Sequence, residues 1–382
     1  MKMAMNMKWK LNNITMIMNN LTGKDYRLQQ LFENKHEFGV PCHEFILPFD
    51  ETFRKSSYHI FKCFIENPLN NNAISLLLKG KEGCRRAEVL NILGFKKWII
   101  VSDYVFDKNK PQDVITFSIM PHVKDFNELK NKINTLQKKD IKHSDSINPE
   151  FIKFFQEFPI FNISISINKK FKLFTDEKLF SNQQISGYIK QIEHWIENEK
   201  NIEKYIKQKD LLIKLLEKLN RKEPSFKEIR RIFFIGAITT YLMYLITSFI
   251  PKLEVIGWFS DRDTIIYYKE KELGGYLIFQ YIQDLYHVFC ESKNLKQSNI
   301  AFGLPEEQGE MWFDELVRLP DFIAGTLADY NKEENEFSHD KFIPLFEKVF
   351  TNENKNLIFN VFIGNNNNSF EMRVTRATFD KI

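Results

Sequence analysis

Cysteine is scarce in this chain of 382 residues, and what little there is does not pair by pattern. Cys42, Cys63, Cys84 and Cys290 stand far apart, with no CxxC and no histidine at zinc-finger spacing. That spacing argues against a disulfide framework or a structural zinc site and makes a reducing cytoplasm the expected location. A dominant charge is missing as well. The 54 basic and 50 acidic side chains leave a net charge of +4, which permits a nucleic-acid partner without arguing for one. The opening "MKMAMNMKWKLNN" lacks the apolar stretch and small-residue cleavage site of a signal peptide. There is no internal repeat. With 43% apolar and 27% charged residues, the composition is that of a globular chain.

Long uncharged runs are also rare, so the exception matters. "IFFIGAITTYLMYLITSFI" (residues 232–250) holds no charge and is flanked by Arg230, Arg231 and Lys252. As a helix it would reach about 28 Å, close to the thickness of a bilayer core. Its Thr239, Thr240, Thr247, Ser248 and Gly236, and Pro251 directly after it, favour a helix buried against a sheet over a membrane span.

The rest of the chain reads as alternating strand and helix patterns. "HEFILPFDETF", "KKWIIVSDYVF", "DVITFSIMPHV" and "IFNISISIN" predict strands, the last by clean alternation. Between residues 186 and 220, apolar side chains from Tyr188 to Leu216 recur at three- and four-residue steps among charged ones. This predicts one long amphipathic helix, or two in line, that either packs on its own domain or projects as an arm and forms a homodimer. "EVIGWFSDRD" predicts a strand, residues 277–291 a helix, and "RLPDFIAGTLADYN" a helix with Pro320 in its first turn. The expected organisation is an N-terminal extension (1–40), the first part of an α/β domain (41–180), a helical insertion or arm (181–225), the second part (226–335) and a C-terminal segment (336–382).

Three places set carboxylates where a strand ends or a helix begins: Asp50 with Glu51, Asp261 with Asp263, and Asp321. Magnesium and manganese favour hard oxygen ligands, and carboxylates drawn from separate segments can hold one or two such ions for phosphoryl chemistry. In "PFDETF", "WFSDRD" and "RLPDFIAGTLADY" the chain resembles the RNase H-like superfamily. More narrowly, it resembles a widespread bacterial group whose first strand ends in "DES" or similar and whose last helix carries a "LADxIAG"-type signature. The resemblance implies a mixed α/β sheet flanked by helices, with a long helical insertion. It also implies a magnesium- or manganese-dependent nuclease, found in such families in mobile-element or phage-defence settings. Carried over, Asp50, Asp261 and Asp321 would be the catalytic metal ligands, with Glu51 and Asp263 in support. Arg54, Lys55, Lys79, Lys81, Arg85 and Arg86 would follow the phosphates of DNA or RNA. Three features depart from the group: Thr52 and Phe53 follow where it has glycine, Pro320 replaces the alanine before the helix aspartate, and the long spacing between the first and second motifs requires residues 186–220 as an insertion.

Other readings of the same residues stand beside this one. Asp50 suits an N-cap for "ETFRKSSYHIF", Asp321 suits a helix macrodipole, and Asp261 and Asp263 suit ion pairs with Arg262 or Arg54. Asp329 reads as a solvated helical residue, and His122 and His287 as structural histidines. At the level of function, the alternatives are a non-catalytic interaction or scaffold protein and a DxD glycosyltransferase. The DxDxT of haloacid-dehalogenase phosphatases fails, because Ile265 stands where its threonine belongs.

Overall fold

Lys97–Val105 is apolar on both sides of its pleat, with Trp98 and Ile100 facing one way and Ile99 and Val101 the other. A strand of that pattern needs cover on both faces, and the fold supplies it. A computed structural model describes residues 7–12, 50–66, 94–122, 126–168, 177–198, 202–221, 226–268, 276–304, 311–366 and 369–381. In chain order the elements are β1 (Met7–Asn12), α1 (Asp50–Glu66), β2 (Lys97–Val105), β3 (Gln112–Pro121), α2 (Phe126–Leu136), α3 (Pro149–Glu157), β4 (Phe161–Asn168) and α4 (Glu177–Asn198). Then come α5 (Glu203–Arg221), α6 (Phe226–Phe249), β5 (Val255–Ser260), α7 (Leu277–Ser292), β6 (Asn299–Gly303), α8 (Asp314–Asp329), β7 (Asn356–Asn366) and β8 (Ser369–Lys381).

The strands form one eight-stranded mixed sheet in the order β1-β8-β7-β4-β3-β2-β5-β6. β2, β3 and β4 are an antiparallel meander, β5 and β6 run parallel to β2, and β7 runs parallel to β4. The expected α/β class with a mixed, helix-flanked sheet is therefore the class observed. Two apolar cores lie on opposite faces. One packs α1, α4, α5, α6 and α7 against Trp98, Phe117, Phe161 and Phe359. The other packs α2, α3 and α8 against Ile99, Val101, Phe259 and Ile358.

Several expectations change. The predicted strand ending at Asp50–Glu51 is, from Asp50 onward, the start of α1; residues 43–49 lie outside the described residues. Once the chain leaves Pro48, the apolar positions Phe53, Ile60, Phe61 and Phe64 recur at helical spacing, and the sheet-facing core claims them. The 186–220 region is two antiparallel helices, with Asn182 bonded to Asn220 and Trp195 packed on Tyr205. Much of its apolar stripe, including Ile192, Trp195, Leu212, Leu215 and Leu219, is buried in the core of its own chain. The uncharged run forms α6, and 83% of its apolar window is buried inside the protein. α8 begins at Asp314, so Pro320 is interior and not in the first turn. Asp329, read as solvated, is buried and accepts from Lys110 at 2.5 Å and from the Ser338 backbone N–H at 2.8 Å.

Candidate carboxylate site

β2 and β5 run side by side with Val101 opposite Phe259 and Ser102 opposite Ser260. The Asp261 N–H donates to the Ser102 carbonyl at 2.9 Å, so the register carries one step further and sets Asp103 beside Asp261. Side chains alternate along a strand. Asp103 and Asp261 therefore share the face of Val101 and Phe259, where α8 lies. From that helix comes Asp321, whose Oδ2 accepts the Ile141 N–H at 2.9 Å.

The loop carrying Ile141 is held from three sides. Lys341 donates to the carbonyls of Ile141 and Ser144 at 2.8 and 2.7 Å. Arg318 donates to the Gln137 carbonyl at 3.1 Å and lies 3.5 Å from Asp140. Gly325, one turn after Asp321, is the third hold, since a Cβ there would meet Ile141 Cγ2 at 2.8 Å. Only glycine lets the loop come this close. Gly325→Ala should push the loop outward and cost about 1–3 kcal/mol of stability, seen as a lower urea midpoint. A midpoint unchanged within error would show that the loop gives way freely.

The electrostatics are those of crowded, partly desolvated acids. Burial pushes the Asp103 carboxyl well above the usual carboxylate range, and the charges of Asp321 and then Asp261 add to the rise. Burial likewise raises Asp261, against the pull of the Arg262 N–H and of its bond with Asp103. That bond raises Asp103 and lowers Asp261, so the two carboxyls titrate as one coupled pair. Burial moves Asp321 to about 7, opposed by the Ile141 N–H and reinforced by Asp140 and Asp261. Asp314, at the start of α8, is also raised, chiefly by burial.

Three of the sequence-predicted carboxylates fall elsewhere. Asp50 and Glu51 begin α1, on the opposite face of the sheet from α8. Phe53 packs on Phe359 of β7 with 4.9 Å between ring centroids. β7 is three strands from β2, roughly 14 Å at the usual strand spacing. Asp263 spends its carboxylate on its own turn, accepting from the Ile265 N–H at 3.0 Å and from Thr264 Oγ1 at 3.2 Å. Arg54 and Lys55 ride on α1, again away from α8; Lys79, Lys81, Arg85 and Arg86 lie outside the described residues. The site residue to which no sequence motif points is Asp103. Its signal is present in "WIIVSDYVF", a single acid inside an otherwise apolar strand. Such a residue is costly to bury without a reason.

Among the described residues, no three His, Cys, Asp or Glu side chains stand as a ready-formed metal-binding group. The donor chemistry nevertheless fits a hard divalent cation, because the convergent oxygens are all carboxylate. The raised proton affinity of Asp103 and Asp261 means that such an ion would compete with protons for their oxygens. No protein-family model, curated protein or solved structure matches the chain.

Proposed function

We propose that this protein is a divalent-metal-dependent nuclease of RNase H-like type, with Asp103, Asp261 and Asp321 as its acidic site. One observation carries the reading: the buried carboxyl of Asp103 and the half-buried carboxyls of Asp261 and Asp321, from two adjoining parallel strands and one helix, share a single end of the sheet, each with its proton affinity raised. The resemblance asks for an acid on a first strand, an acid on a later strand and an acid on the last helix. Asp103 takes the first of these positions in place of Asp50.

Magnesium or manganese held by Asp103 and Asp261, with Asp321 beside them, would supply an activated water and neutralise charge on a phosphodiester. The chain's own contribution is positioning. The Ser102–Asp261 bond fixes the strand ends, and the Ile141 N–H fixes Asp321. The separation of Asp261 from Asp263, which is committed to its own turn, speaks against the DxD glycosyltransferase.

The test is a cleavage assay. Single- and double-stranded DNA, RNA and a hybrid are offered with magnesium or manganese, to wild type and to Asp261→Asn. Metal-dependent cleavage that is lost in the variant is the expected result. No cleavage of any substrate, with no metal-induced change in melting temperature, would leave the interaction or scaffold reading in its place.

A further inference from the structure

A groove of about 580 Å³ lies between α5 and α7, floored by Phe302 of β6. It is on the other face of the sheet from the carboxylates but at the same end. Phe302 pairs with Trp258, three residues before Asp261, or about 10 Å along the strand.

The walls combine three chemistries. Tyr276, Phe279 and Phe302 form an aromatic side in which each ring braces the next, with centroids 5.6 and 4.9 Å apart. Lys204 and Lys207, both exposed, sit on one face of α5 three residues apart, with Glu203 as the acid among the lining residues. Gln208 and Gln280 form the third element. Behind them the buried Asp284 accepts from Gln208 Nε2 at 2.5 Å and from Gln280 Nε2 at 3.0 Å. Both amide nitrogens are thereby committed to the carboxylate, so both carbonyl oxygens turn away from it. Among the described residues Gln208 Oε1 has no partner, although Gln208 is more than nine-tenths buried. An unsatisfied buried acceptor costs about 1–3 kcal/mol, a penalty that a ligand N–H would remove.

A complementary ligand has a flat ring to stack, N–H donors on one edge of that ring and anionic charge beyond it. An unpaired nucleotide meets all three requirements. Every base offers an N–H on its pairing edge when it is not in a duplex, stacking is sequence-tolerant, and phosphates suit lysines. We propose that the α5–α7 groove binds an unpaired nucleotide of a single-stranded nucleic acid, with its base against the half-exposed rings of Tyr276 and Phe302 and beside Gln208, and its phosphates on Lys204 and Lys207. The ligand class rests on the nuclease reading, and the strand held in the groove would run around the sheet end toward Asp261.

The experiment is fluorescence anisotropy of a 5′-fluorescein single-stranded DNA 12-mer, in EDTA so that nothing is cleaved. Lys204→Glu/Lys207→Glu is compared with wild type and with a Lys293→Glu/Lys296→Glu control just beyond the far end of α7. All four positions are on the surface, and a melting curve checks that each variant folds. The groove variant should bind at least tenfold more weakly, and its log affinity against log salt should flatten by about 1.4 for the two lost phosphate contacts. The control should bind as wild type does. A groove variant that binds like wild type, or a wild type that does not bind single strands, overturns the proposal. Because no metal is present, the two readings fail separately. Binding through the lysines without cleavage would sink the nuclease alone, and cleavage with lysine-independent binding would sink the groove alone.

Discussion

Asp103→Asn should abolish metal-dependent cleavage, with a loss of at least about 100-fold, the size expected when a preorganised charge-stabilising group is removed. Asp50→Asn and Glu51→Gln should leave the rate within about threefold of wild type. The contrast comes from the two faces of the sheet. Asp103 is hydrogen-bonded to Asp261 and feels the charge of Asp321. Asp50 opens a helix whose Phe53 is buried against Phe359 and Tyr241 in the opposite core. The variant is conservative in shape and its amide can still donate to Asp261, so it should fold about as well as wild type. A melting temperature close to that of wild type, with cleavage gone, would tie the defect to chemistry and not to collapse. Cleavage that persists in Asp103→Asn and disappears in Asp50→Asn would return the first position to α1.

Much of this architecture is legible in the sequence because burial on both faces leaves a plain mark. The runs "WIIV", "VITFSIM" and "FNISISI" form β2, β3 and β4 within a residue or two of where their apolar pattern puts them. Two of the site residues, Asp261 and Asp321, are also legible, since each interrupts an apolar segment at a place where the chain must turn or pack. Asp50 misleads, and the cause is physical. "HEFILPF" alternates like a strand, but from Phe53 to Phe64 the apolar period is helical. A local pattern does not reveal which face of a sheet an element will cover. Asp103 is hard to see because its apolar strand neighbours hide one acid, and only the register with β5 shows what it meets. Pro320 misleads in the same way. Proline favours a first turn when propensity decides, yet α8 starts six residues earlier, where Leu316 and Leu319 are buried with Phe322 in the core and tertiary packing outweighs the missing hydrogen bond.

Without metal, the site should weaken the fold as pH rises, and Asp321→Asn should remove that weakness. The Asp321 carboxyl lies at about 7 in the folded protein, against an ordinary value of 3.8. Between those values the folded state holds a proton that the unfolded state has released, so the unfolding free energy falls with increasing pH. The contribution is absent below about pH 4, grows across the window and is complete above about pH 7. At roughly 1.4 kcal/mol per unit, it reaches on the order of 4 kcal/mol. Asparagine keeps an oxygen for the Ile141 N–H and carries no charge, so the variant should melt higher than wild type at pH 8, by roughly 3–6 °C, and level with it near pH 4. Magnesium or manganese should raise the wild-type melting temperature at pH 8 by mass action. The rise should fade toward pH 5, where protons compete for the same oxygens, and should be largely lost in Asp321→Asn. Equal melting of the two proteins across the whole range would mean that Asp321 is not strained by burial. The site would then have no electrostatic reason to want a cation. The opposite result would identify the same carboxylates as the weakest point of the metal-free fold and the strongest of the metal-bound one, as expected of residues whose stability has been given up for function.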